Sequence, residues 1–300
     1  MVTGATELVG ILGSPVAHSL SPAMHNAAFQ ALGMDRLYVP LPVNTEKLGE
    51  GIRGIHSLGF RGANVTVPHK ESALQFLDEI SEEARHIGAV NTITFQGDRI
   101  AGDNTDWLGI LDDLGDKGFD PSGRKVMILG SGGSARAVAY AFLTMGSDPV
   151  ICSRNPRTGR ALTEHLCRLF PERAVEFTSL ETAAHVRSHI DLVVNTTPLG
   201  MSPKADDSPW PDTNRLPECE LVYDLVYNPP VTRLMTQARK QGLNASNGLG
   251  MLVRQAAASF RIWTGIEPPV GTMRAAAEQA YRKHQEKESR INNVENAYSR

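Results

Sequence analysis

Apolar runs and amphipathic stretches alternate along most of the chain. Glu7 to Gly13 reads as a buried strand, and Ser21-Pro22 supplies an N-cap and a first-turn proline for a helix to about Leu32. Leu37 to Leu41 is again strand-like, Thr45 to Leu58 is an amphipathic helix closing near Gly59, and Gly62 to Val67 is a third strand. Pro68 introduces a predicted helix over His69 to Leu77, and another follows around Ser81 to Ile87. Val90 to Phe95 and Arg99 to Ala101 flank Gln96-Gly97-Asp98 as a hairpin, after which Thr105 to Leu114 is helical. A polar linker, Gly115 to Gly123, comes next. Lys125 to Leu129, Pro149 to Cys152, Ile190 to Asn195 and Leu221 to Val226 then form near-continuous apolar runs, as in a parallel sheet covered on both faces. Ala135, Val138, Ala139, Phe142 and Leu143 make one helical face, and Gly250 to Thr264 and Met273 to Lys283 are predicted late helices.

This pattern predicts an α/β protein of two parts. An N-terminal α/β domain with a mainly parallel sheet takes residues 1–108, with 265–285 returning to it, and a Rossmann-like domain takes 109–264. The active site belongs in the cleft between them, and 286–300, polar and Asn-rich, reads as a disordered tail. The length of 300 residues suits two domains of roughly 150 residues each. With 33 acidic and 30 basic residues the net charge is −3, a balance that argues against a nucleic-acid partner. No apolar run approaches the roughly 18 to 20 residues of a spanning helix, and the N-terminus lacks the basic stretch of a signal peptide, so no membrane association is expected. Cys152, Cys167 and Cys219 are far apart and form no CxxC pair, which points away from disulfides and metal sites and toward the cytoplasm.

Gly130, Gly132 and Ala135 match G-x-G-x-x-G/A directly after a strand and at the start of a helix. The first glycine permits the tight turn, the second lets a pyrophosphate approach the backbone, and the small third residue lets helix and strand pack closely. At the end of the next strand, where an acidic residue would bind an NAD ribose, stand Ser153, Arg154 and Asn155. Arg154, with Arg157 and Arg160 nearby, is the better match to the 2′-phosphate of NADP(H), the alternative being a solvated basic loop.

Four polar segments occupy strand ends in the first half: His18 to Pro22, Asn64 to Lys70, Gly88 to Thr92 and Asp103 to Asp106. Singly, each has a plain reading: Ser21 is a good N-cap, Asn64 and Thr66 alternate as edge residues do, and Asp103-Asn104 is ordinary turn chemistry. Together, with the glycine loop, they resemble the shikimate dehydrogenase family. The resemblance runs from about Gly10 to Met273 and includes HSLSPAMHN, GANVTVPHK, GAVNT, GDNTD, GSGGSARA, NTTPLGM, YDLVYNP and GLGMLVRQAA. The family's Asn-Arg-Thr cofactor segment is here Ser153-Arg154-Asn155, and Ser131 and Ser134 stand where alanines are commoner.

The resemblance implies reversible, NADP-dependent reduction of 3-dehydroshikimate to shikimate in aromatic amino acid biosynthesis, with the N-terminal domain binding substrate. It assigns catalysis to Lys70 and Asp106, whose plain alternative is a structural ion pair. Ser19, Ser21, Thr66 and Tyr227 are assigned to the substrate carboxylate, and Asn91, Asp106 and Gln255 to ring hydroxyls. For the cofactor it marks Gly130, Ser131, Gly132, Gly133, Ser134 and Ala135 in the loop, then Ser153, Arg154 and Asn155. Thr196, beneath the cofactor, and Val226 are further cofactor residues, and Gly248 and Met251 are expected to lie near the nicotinamide. The partner is a small molecule, and a homodimer is left open. The rival readings are a quinate-preferring or NAD-preferring enzyme of the same fold and a catalytically silent NADP-binding paralogue.

Overall fold

The computed structural model describes residues 2–183, 186 and 189–298, with the backbone alone for 284 and 287–298. Two six-stranded sheets organise it. The first contains β1 (Glu7–Gly13), β2 (Arg36–Pro42), β3 (Gly62–Val65), β4 (Glu79–Ile80), β5 (Thr92–Gln96) and β6 (Arg99–Asp103), in the order β2-β1-β3-β5-β6-β4. β1 runs parallel to β2 and β3, while β5 is antiparallel to β3 and, across the hairpin turn at Gln96-Gly97-Asp98, to β6. The second contains β7 (Lys125–Leu129), β8 (Asp148–Ser153), β9 (Glu176–Ser179), β10 (Leu192–Asn195), β11 (Leu221–Asp224) and β12 (Ala245–Asn247). Its order is β12-β11-β10-β7-β8-β9 with every pairing parallel. The order reverses at β7, so a crevice opens beyond the C-terminal ends of β7 and β10.

Helices cover both faces of each sheet, as the unbroken apolar strands require. Around the first lie α1 (Ser21–Ala31), α2 (Leu48–Ser57) and α3 (Glu82–Ile87); α4 (Asp106–Asp116) leads to the second, which carries α5 (Gly133–Thr144), α6 (Pro156–Leu169) and α7 (Arg233–Lys240). The chain ends with α8 (Leu249–Thr264) and α9 (Val270–Tyr298). One core joins Val9 and Ile11 to Phe29 of α1, Phe260 and Trp263 of α8 and Met273 of α9. Burying each side chain such as Phe29 or Phe260 contributes on the order of 2 to 3 kcal/mol. A second joins Val126, Ile128 and Val194 to Ile110 and Leu114 of α4 and Val138 and Phe142 of α5.

The structure departs from the sequence reading in several places. His69 to Leu77 contains only a short 3₁₀ turn, Ser72–Phe76, because the His69 amide bonds Thr66 and its ring bonds the Val43 carbonyl, so the chain turns tightly there. α8, which sequence order assigns to the Rossmann-like part, is shared: Met251 packs in the second core, whereas Val253, Ala256 and Phe260 pack in the first. The helix is apolar on more than one side, so it can serve both. α9 runs as helix to Tyr298 where a disordered tail was expected; its Glu, Lys, Gln and Arg are polar but strong helix formers. Residues 299 and 300 of that tail lie outside the described residues.

Candidate active site

The two halves meet where the glycine loop faces Lys70. Gly130 follows β7 with a φ of 123°, and a Cβ there would stand 2.5 Å from the Thr196 hydroxyl oxygen. That hydroxyl donates to the Leu129 carbonyl at 2.7 Å, tying the end of β10 to the loop. Gly132 caps α5, leaving first-turn amides without helical partners, and a Cβ on Gly133 would stand 3.0 Å from the Lys70 Cβ. Ala135 is fully buried beneath the loop. Only glycine leaves room for the Thr196 and Lys70 side chains to come this close to the loop backbone, and the cradle that results, with amides at a helix N-terminus, fits a dinucleotide pyrophosphate.

A cleft of about 420 Å³ lies over this loop. Its walls include Gly130, Ser131, Gly132, Gly133 and Ser134, then Ser153, Arg154, Asn155 and Thr196, with Lys70 and Glu71 from the other half. Ser131 Oγ is 3.0 Å from Ser153 Oγ and 2.8 Å from Thr158 Oγ1, so the loop is braced against β8 and α6. Asn155 caps α6, its side chain accepting from the Arg157 amide at 3.0 Å. Arg154 is exposed at the rim, whereas the Arg160 guanidinium lies 4.9 Å from the Phe177 ring centroid. Val226, Gly248 and Met251 lie outside the residues lining the cleft, and Val226 and Met251 are buried.

Behind Lys70 is a continuous hydrogen-bond chain. The Lys70 ammonium donates to Asp106 Oδ2 at 2.7 Å, with the side chains only 14% and 6% exposed. Asp106 Oδ1 accepts from Asn91 Nδ2 at 2.8 Å, and the same amide donates to Gln255 Oε1 at 3.2 Å. The Asn91 carbonyl accepts from Asn64 Nδ2 at 3.0 Å, and Asn64 Oδ1 accepts from the Tyr38 hydroxyl at 2.7 Å. Ser19 Oγ accepts the Ser21 amide at 3.2 Å. Thr66 lies beside this chain, its methyl against Gly13. Tyr227 packs against the first core, which includes Val16 and Leu20, and also lines a hollow of about 270 Å³ with Asn247 and Tyr281.

Several buried polar residues that the sequence reading leaves out of the site stand in this network or support the strand ends beside it. Asn64, read as an edge residue, is buried at its middle; a polar side chain within the fully buried strand GANV was the available signal. Thr105 Oγ1 and Ser259 Oγ, 3.1 Å apart, sit behind Asn91. Asp224 accepts from Asn195 Nδ2 at 2.8 Å, the Val226 amide at 3.0 Å and Thr232 Oγ1 at 2.6 Å, and burial pushes its carboxyl up to about 6 despite those donors.

Comparison with known proteins decides the lineage. Residues 11–93 match the shikimate dehydrogenase substrate binding domain and 248–278 the shikimate 5′-dehydrogenase C-terminal domain. A shikimate dehydrogenase (NADP(+)) of Citrifermentans bemidjiense is 46% identical over 279 residues, covering 92% of this chain and 96% of that protein. The chain belongs to the shikimate dehydrogenase family. Among solved family structures, a shikimate dehydrogenase in complex with NADP+ superposes with a TM-score of 0.85 at 36% identity, covering 93% of this chain and 97% of that one. The Thermus thermophilus shikimate 5-dehydrogenase, in complex with NADP(H) and shikimate, gives 0.81 at 39% identity, covering 91% and 99%. The family's two-domain, Rossmann-like architecture is therefore that of the two sheets described above. Among the described residues no helix is long and apolar enough to cross a membrane.

Proposed function

We propose that this chain is an NADP-dependent shikimate dehydrogenase, reversibly reducing 3-dehydroshikimate to shikimate in the biosynthesis of chorismate and the aromatic amino acids. The observation that carries the reading is the shielded Lys70–Asp106 pair, held at 2.7 Å where the nucleotide loop meets the first sheet. NADPH bound over the glycine loop supplies the hydride. Lys70 then stands beside the substrate ketone, and its ammonium donates a proton to the oxygen as alkoxide charge develops. Asp106 orients that ammonium, and Asn91 holds the second carboxylate oxygen, so Lys70 stays aimed. In the reverse direction the same pair takes the proton from the shikimate hydroxyl.

Substrate recognition falls to the remaining polar groups. Ser19, Ser21 and Thr66 receive the carboxylate, with Tyr227 reaching it from the second half, while Asn91, Asp106 and Gln255 take ring hydroxyls. Arg154 at the cleft rim meets the 2′-phosphate, and Thr196, Val226, Gly248 and Met251 shape the nicotinamide end. On this reading 1–108 and 265–285 form the substrate domain, α8 is common to both parts, and the enzyme works in the cytoplasm. The test is a matrix of shikimate or quinate with NADP+ or NAD+, followed by the absorbance of reduced nicotinamide. Shikimate with NADP+ is expected to be turned over far faster than any other pairing. Folded protein that reduces neither nucleotide with either acid overturns the reading, and preference for quinate or NAD+ moves it to a sister activity.

A further inference from the structure

Asp113, two helical turns beyond Asp106 on α4, has no exposed surface. Its Oδ2 accepts from the Tyr223 hydroxyl at 2.6 Å and lies 2.8 Å from the Lys117 ammonium. Arg274 of α9 approaches Oδ1 no nearer than 4.0 Å. Tyr223 and Met251, the latter in the first turn of α8, belong to the same buried core. A phenol from β11 thus grips the side chain of α4 where α8 packs against it. The two helices are also in close contact: a Cβ on Gly250 would stand 1.7 Å from Asp113 Oδ1, and one on Gly109 would stand 2.9 Å from the Gln255 Cβ.

That junction links the two ends of the cleft. α4 begins with Asp106 and α8 carries Gln255, both bonded to Asn91, so the helix pair holds part of the substrate site. Tyr223 belongs to the nucleotide sheet and immediately precedes Asp224, which anchors the chain at Val226. We infer that Asp113 is a positioning residue for hydride transfer: through the Tyr223 hydroxyl it fixes α4, and with it the closely packed α8, against β11, and so sets where Lys70 and Asp106 stand relative to the nicotinamide end of the cleft. Neither Asp113 nor Tyr223 touches the cleft, so their removal acts on alignment and leaves the binding groups in place. The inference rests on the shikimate dehydrogenase reading above.

The experiment compares wild type with Tyr223→Phe, Asp113→Ala and Asp113→Asn, using shikimate carrying deuterium at its oxidised carbinol carbon and NADP+. Turnover is normalised to folded enzyme by circular dichroism. Tyr223→Phe and Asp113→Ala are expected to lower kcat about tenfold, a modest share of what misalignment of reacting groups costs. KM values stay within about twofold, and the deuterium isotope effect on kcat rises as hydride transfer becomes limiting. Asp113→Asn, which keeps an oxygen acceptor for the phenol, recovers most of the loss. A role in stability alone would lower the melting temperature with kcat per folded enzyme and the isotope effect unchanged, and that result overturns the inference, as does a loss confined to KM. Tyr223→Phe removes one oxygen only, so it carries the test if Asp113→Ala fails to fold. Wild-type protein that oxidises no shikimate overturns the underlying reading, whereas wild-type turnover with unaltered variants overturns this inference alone.

Discussion

His25 gives the fold a predictable weakness to acid. It lies on α1, one turn beyond Ser21, fully buried, with neither ring nitrogen in a hydrogen bond. Its ring stacks on Tyr38 at 4.4 Å between centroids and meets Trp263 at 5.4 Å. Burial in this aromatic setting pushes its pKa down from 6.5 to about 3. The sign follows from proton uptake: below 6.5 the unfolded chain binds a proton that the folded chain refuses, so stability is complete above 6.5 and falls as the pH drops toward 3. At about pH 5 the unfolded imidazole gains roughly 1.5 units of advantage, which at about 1.4 kcal/mol per unit is a loss of about 2 kcal/mol. We predict that His25→Leu, close in volume and unable to charge, loses about 2 kcal/mol less than wild type between about pH 8 and pH 5. Urea unfolding of both proteins at the two pH values measures the difference. Asp224, whose raised carboxyl acts in the opposite direction over part of this window, is common to both chains and cancels. Equal losses in the two proteins would refute the reasoning, because they would mean that His25 can take up a proton without leaving its place.

Three substitutions probe the cleft. Lys70→Ala is predicted to lower kcat by about 10² to 10⁴, the usual range for a positioned acid, with KM for NADP+ little changed; a kcat within a few-fold of wild type would remove Lys70 as the proton donor. Arg154→Ala is predicted to raise KM for NADP+ by about 10 to 100-fold, as loss of a charge-assisted hydrogen bond should, while leaving the NAD+ value alone. An unchanged preference would move the 2′-phosphate contact elsewhere. Gly130→Ala is predicted to weaken NADP+ binding and lower the melting temperature, since the new methyl meets Thr196 at a positive φ; a variant matching wild type in titration and melting would contradict the cradle geometry.

The glycine loop was legible because strand, turn and helix are contiguous, so one stretch of sequence carries its whole mechanism. The substrate side was not. Lys70, Asn91, Asp106 and Gln255 come from separate elements, and only the resemblance to a family brought them together before the fold did. Asn64 was misread because its alternation with Thr66 is also what an edge strand shows, whereas β3 lies inside the sheet between β1 and β5. α6 went unread although Asn155-Pro156 is a cap followed by a first-turn proline, because its arginines and Gly159 obscure the apolar spacing of Leu162 and Leu166. The helix expected after Pro68 gives way to a tertiary bond from His69 to Val43, which local propensity does not contain. Asp113 reads in sequence as one more charge on a helix, and only its contact with Tyr223 of β11, distant in sequence, gives it a role.

The most direct test of the proposed chemistry follows the hydride itself. Purified protein is given 3-dehydroshikimate and NADPH carrying deuterium in turn on each face of the nicotinamide C4, and the product is weighed by mass spectrometry. The Lys70–Asp106 site predicts shikimate with one deuterium at the newly formed carbinol carbon from one labelled face and none from the other. Product without label from either face, or no shikimate at all from folded protein, would contradict it.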